Sequence, residues 1–237
     1  MKPQAGFKSL PAAARWTIIM FALDGLGIAT YMLTMQATFS ATRVLFLIAT
    51  AVLCARAKVN LFKGSTLSFL TSVVMFTVLT EGPGVAIVVA AVGVGAQTVL
   101  PSKKVVIHQL AFNLGMIILT VSATWWTHQA SVTQAGMDVL SARLVATVLA
   151  SFIYFMGNSV SVSLIIALTT KGMSMLDIWA NHFLYSAPSF VIAGLVSHGF
   201  VAISNSVAMV IVIFVGTISL AYYCSIRLVA KPMAAKA

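Results

Sequence analysis

Apolar residues dominate the chain from Trp16 onward, and polar residues interrupt them only in short clusters. The segment from Val85 to Leu100 holds sixteen residues without a charge, bounded by Glu81-Gly82-Pro83-Gly84 before it and Pro101-Ser102-Lys103-Lys104 after it. It shows no strand-like alternation and no one-sided apolar stripe. A helix that is apolar all round belongs in a protein core or across a membrane. Runs of this kind recur along the chain and predict eight spans, at 16–36, 43–56, 65–80, 84–101, 105–127, 140–170, 178–198 and 203–227. A crossing takes about 20 residues. The second and third spans are short, consistent with small tilt or a locally thin bilayer. The sixth is long, and tilts strongly or breaks near Gly157-Asn158. The expected fold is an all-α, polytopic membrane helix bundle.

Composition removes the soluble alternatives. Of 237 residues, 60% are hydrophobic and 8% charged, with a mean hydropathy of +1.04. Soluble domains carry about 25% charged residues, so this chain lacks the polar groups to coat a globule. The first apolar run extends to about Met35 and contains Asp24, which makes it longer and more polar than a signal-peptide core. A retained first helix is expected. The domain reading is a short cytoplasmic segment at 1–15, one transmembrane domain at 16–227 and a short cytoplasmic tail at 228–237.

The net charge of +10 would point to nucleic acid in a soluble protein. Here the basic residues occupy turns between spans, so no nucleic-acid partner is expected. With the N-terminus in the cytoplasm, the inner side holds twelve Lys and Arg residues, among them Arg56, Lys58, Lys63, Lys103 and Lys104. The outer side holds two, Arg43 and Arg143. This asymmetry predicts eight crossings of the inner (cytoplasmic) membrane with both termini inside. Trp125 and Trp126 at the outer end of the fifth span, and Trp16 and Trp179 at inner ends, suit interfacial positions. Cys54 and Cys224 fall near inner helix ends, where neither a disulfide nor a metal site is expected.

Polar side chains within the spans are the candidate site. Asp24, Asn113 and Asn158 fall ~12–18 Å from the cytoplasmic edge at 1.5 Å per residue, and Gln97 lies nearer that edge. Membrane-embedded polar residues face cavities or partners. These four are therefore candidate ligand-binding residues of one pocket among the first, fourth, fifth and sixth spans. For Asn113 and Asn158 an ordinary interhelical hydrogen bond stands as an equal reading. Asp24 is either a functional carboxyl or a packed, neutral one, and its neighbours Gly25 and Gly27 leave room for a close helix. Ala86 with Ala90, and Ala91 with Gly95, repeat four apart. With Gly93 they mark the fourth span as a central packing helix or a face for a partner. His108 and Gln109 sit at the cytoplasmic start of the fifth span, where an anionic ligand or a lipid headgroup could bind. Asn181, His182 and Tyr185 share a face expected to meet protein, and Pro188 is expected to kink the seventh span.

Enzyme chemistry is not expected. The four acids are far apart, and no GxSxG, Walker loop or metal-ligand spacing occurs. The four histidines are scattered, with no haem pair evident. No cofactor is assigned. The stretches "LSFLTSVVMFTVLTEGPGVAIVVAAVGVGAQTVL", "QLAFNLGMIILTVSATWW" and "ASFIYFMGNSVSVSLIIALTTKGMSMLDIW" resemble the multi-helix membrane sensor modules that precede HD-GYP or GGDEF domains in bacteria. More distantly they are similar to substrate-binding subunits of energy-coupling-factor transporters. The shared elements are the Gly82-Pro83 turn with the small-residue helix after it, Phe112-Asn113, and the aromatic segment reaching Asn158. The resemblance implies a small-molecule-binding, sensor-like membrane module. Only about ten residues follow the last span, so such a module would act through a partner protein. The alternatives are a substrate-capture subunit of a transporter, and a structural subunit binding lipid or cofactor in a larger membrane complex.

Overall fold

The computed structural model describes residues 6–36, 38–55, 58–60, 66–100, 105–134, 139–170 and 172–203. It is a helix bundle in which α1 (Ala12–Thr34), α2 (Ala41–Cys54), α3 (Phe69–Thr80), α4 (Pro83–Val99), α5 (Ile107–Gln134) and α6 (Val139–Thr169) follow one another. A short α7 (Met175–Ile178) leads through a π-turn and a 3-10 turn into α8 (Ala187–Ile203). Four segments are long and apolar enough to cross a membrane: Ala12–Thr34, Ile107–Thr133, Leu140–Thr169 and Met175–Val201. Their outer faces carry large apolar side chains such as Leu23, Leu26, Phe152 and Ile192, all exposed, as lipid contact requires. The expected eighth span lies outside the described residues beyond Ile203.

Local chemistry accounts for the helix boundaries. Pro83 opens α4 at its first position, where a missing N–H costs nothing. The Gln36 side chain then accepts from the Val85 N–H at 3.3 Å, satisfying one free donor at that helix start. Ser174 caps α7 by accepting from the Asp177 N–H at 3.1 Å. The Trp179–Phe183 π-turn and the Leu184–Ser186 3-10 turn precede Pro188, whose ring cannot accommodate a regular turn before it. The expected kink is therefore a change of helix type. At the expected break in the sixth span, by contrast, α6 continues through Gly157 and Asn158. A Cβ on Gly157 would stand 2.7 Å from Thr120 Oγ1, so this glycine serves close packing on α5.

The short second and third helices have a structural cause. Between them the chain forms a hairpin, β1 (Lys58–Asn60) antiparallel to β2 (Thr66–Ser68), with Lys58 opposite Ser68 and Asn60 opposite Thr66. This is the one departure from an all-helical chain among the described residues. The third span, expected from residue 65, yields its first residues to β2 and starts its helix at Phe69.

The core centres on α3, not on α4 alone. Every residue from Leu70 to Val78 is buried, because α3 is apolar on all sides and α2, α4, α5 and α8 surround it. Ala86 and Ala90 are fully buried in the same cluster. On the other side of the bundle, α1 crosses α5 at two glycines, where a Cβ on Gly25 would come within 2.6 Å of Gly115 Cα. Hydroxyls inside the helices satisfy themselves locally. Thr77, Thr124, Ser151, Ser159 and Ser163 each donate to the carbonyl four residues earlier at 2.7–2.8 Å, a common resort where no water is at hand.

Candidate functional site

The four polar residues do not share one pocket. Asn113 lines a cleft of about 420 Å³ between α1, α5 and α6. Gln97 and Asn158 line a separate cavity of about 150 Å³ among α3, α4, α5, α6 and α8. Asp24 is exposed on the outside of α1. The reason is rotational: successive helical residues are about 100° apart, and burial of Gly25 against Gly115 turns Asp24 away from the bundle. The open side next to Asp24 is continued by Gly27, whose position has nothing within 4 Å.

The cleft has an apolar wall and a polar end. Ile18, Phe112, Val162, Ile165 and Ile166 form the wall, braced by the Phe21–Phe112 ring pair at 5.1 Å. His108, Gln109, Asn113 and Thr169 supply the polar groups. Gln109 and Asn113 are four apart, hence on one helical face, which is the sequence signal that links them. Asn113 donates through Nδ2 to Thr98 Oγ1 at 3.0 Å. That bond fixes the amide and leaves its carbonyl oxygen as an acceptor. His108 rests against Phe7 with ring centroids 5.7 Å apart, so the segment before α1 folds over this end of the cleft. A volume within ~300–1,000 Å³, mainly apolar walls and a few polar groups describe a ligand pocket.

The smaller cavity is polar. Ser68, Thr71, Gln97, Asn158, Ser189 and the buried Tyr154 contribute to its lining. Ser68 Oγ is buried without a hydrogen-bond partner. At ~30 Å³ per molecule the volume suits roughly five waters. Ser68 ends β2, so the foot of the hairpin stands level with the middle of α6. Non-helical backbone at such depth is stable only when it is enclosed by protein or borders an aqueous cavity, and Ser68 borders this polar cavity. None of Ser68, Tyr154 or Ser189 carries a sequence signal, because hydroxyls are common in helices that bond to themselves.

The packing residues lie inside the chain. Ala86, Ala90 and Gly93 are buried; a Cβ on Gly93 would run into Leu70 of α3. Gly95 is half-buried, facing Leu114 of α5. These residues serve the packing of α4 on α3 and α5. Of the basic residues, Arg56, Lys63, Lys103 and Lys104 lie outside the described residues. The Lys58 backbone pairs with Ser68, within one strand spacing of the polar cavity. Asn181, His182 and Tyr185 are exposed on the outside of this chain.

The fold and its clefts define a membrane-type helix bundle with internal cavities. No protein-family model, curated protein or solved structure matches the chain.

Proposed function

We propose that the chain is a multi-pass module of the inner membrane that binds a small amphipathic molecule and acts through a partner protein, as a sensor-like unit. The observation that carries this reading is the graded lining of the 420 Å³ cleft, apolar along Ile18, Phe112, Val162 and Ile165 and polar at His108, Gln109 and Asn113. A hydrocarbon or ring body fits the wall, and a polar head meets the imidazole and the two amides. Lys103 and Lys104 lie five and four residues before His108 in sequence, which favours a head with negative charge. The proposed topology has eight crossings with both termini cytoplasmic. Supporting it, Arg43 at the start of α2 and Glu81 at the end of α3, both assigned to the outer side by the count of basic residues, meet at 2.7 Å, while Phe7 and His108, both assigned to the inner side, lie with ring centroids 5.7 Å apart.

Asp24 supports the partner in this reading. An acid exposed halfway along a spanning helix, between exposed Leu23 and Leu26, is unfavourable against lipid. A partner helix with a cation or hydrogen-bond donor at that depth would relieve it. The same observation favours the second reading, a subunit of a larger membrane complex.

The test is native mass spectrometry of the chain purified from membranes, reading small molecules and proteins together. The expected result is one amphipathic molecule retained by the wild type and lost from Asn113→Leu and Val162→Trp. Retention unchanged in both variants rejects the cleft as the binding site.

A further inference from the structure

At the opposite end of the bundle, α5, α6 and α8 enclose a third cavity of about 480 Å³. Its polar lining consists of His128 and Gln129 from α5, Arg143 from α6 and His198 from α8, and α3 contributes only Leu79. The two imidazoles are more than nine-tenths buried, at 8% and 9% exposure. His128 Nδ1 and His198 Nε2 have no hydrogen-bond partner. Buried polar atoms normally find partners, and an exception calls for an explanation such as an unseen ion or a functional role. No acid lines the cavity among the described residues. Glu81, just beyond Leu79, is already paired with Arg43.

From this arrangement we infer an oxyanion-binding site: a carboxylate, sulfate-like or phosphate-like group held between His128, His198 and the Arg143 guanidinium. A metal ion is disfavoured by the guanidinium and by the lack of a third ligand among the described residues. Arginine presents a planar fork of donors suited to oxyanions, and charge-assisted bonds in a partly dry site are strong.

The hydrogen bonds add a direction for the proton. Thr147 donates its hydroxyl to the Arg143 carbonyl at 2.8 Å, so its oxygen accepts from His198 Nδ1 at 3.4 Å. With Nδ1 carrying a proton toward Thr147, His198 Nε2 donates only as imidazolium. An anion that only accepts hydrogen bonds therefore binds together with a proton, and its affinity falls as pH rises through the histidine range. The charged and titratable groups facing the site are His128, Arg143 and His198. The oxyanion has two possible sources, a free solute or a lipid headgroup at the membrane surface.

The test uses the full chain in phosphatidylcholine nanodiscs, with sulfate as probe because it stays a dianion across this pH range and chloride as the ionic-strength control. Saturable thermal stabilisation by sulfate is expected, stronger at acidic than at alkaline pH. Arg143→Gln weakens sulfate binding about tenfold, and H128Q/H198Q removes its pH dependence. Arg143 is exposed, so Arg143→Gln leaves sulfate-free melting unchanged. Phosphatidylglycerol that survives purification, is lost in Arg143→Gln and competes with sulfate identifies a headgroup as the natural source. Val162→Trp, in the cleft at the other end, leaves sulfate binding intact, which separates this site from the proposed function. The inference fails if neither sulfate nor phosphatidylglycerol stabilises the wild type, or if both variants bind as the wild type does.

Discussion

The two inner cavities differ in the way that matters for ligand choice. The α1–α5–α6 cleft is about 420 Å³ with seven aliphatic or aromatic lining residues, whereas the cavity beside the hairpin is about 150 Å³ and lined largely by hydroxyls and amides. The first has room for an organic molecule and gains by covering apolar surface. The second is small and polar, and Ser68 at the end of β2 lines it. Both contain an asparagine, Asn113 in one and Asn158 in the other. An intramembrane amide therefore does not by itself mark a ligand site; the company it keeps decides.

The largest effect should come from the helix crossing that shapes the cleft. Gly25→Leu drives a side chain into Gly115, and overpacking costs ~1–3 kcal/mol or more. The expected outcome is loss of monodisperse protein on size exclusion, while Gly27→Leu, which meets open space, behaves as wild type. Equal behaviour of the two variants would break the assignment of α5 as the helix that α1 packs on. Next in size, Val162→Trp fills the cleft and abolishes co-purification of the amphipathic molecule, with melting little changed. The same bulk placed in the polar cavity by Ser189→Leu lowers the melting temperature and spares the ligand. If both substitutions affect ligand and stability alike, the two cavities are not functionally distinct.

Smaller again is Asn158→Leu, which strips an amide from the polar cavity. A small shift in melting temperature is expected, with ligand retention untouched; loss of ligand would move the site to the hairpin side. Arg43→Gln removes the ion pair with Glu81. The two charges sit 2.7 Å apart with the arginine one-third exposed and without hydrogen-bond alignment at Nε. A modest loss of stability follows, from a partly exposed arginine that leaves behind a carboxylate only 8% exposed, measurable as a shift in a denaturation midpoint.

Asp24 shows where a linear reading stops. Its depth follows from counting residues along α1, but its direction does not, because α1 has apolar residues on every side. Only the Gly25–Gly115 contact sets the rotation and turns the carboxyl outward. The expectation of one pocket holding Asp24, Gln97, Asn113 and Asn158 rested on shared depth, and depth is one coordinate of three. His128 and His198 show the converse. Far apart in sequence and outside any ligand spacing, they come together because α5 and α8 both pack on α6.

What the chain's order of residues determined by itself is the solvent: too few charges to coat a globule, and apolar runs long enough to cross a bilayer. It also set three helix starts, at Pro83, Ser174 and Pro188, because capping and ring sterics act within a few residues. The pairing of β1 with β2, the central place of α3 and the separation of the polar residues into distinct cavities were decided by tertiary packing. These depend on which helix faces meet, and in a chain apolar on nearly every face that choice falls to the close approach of glycines and the few polar groups that must find partners.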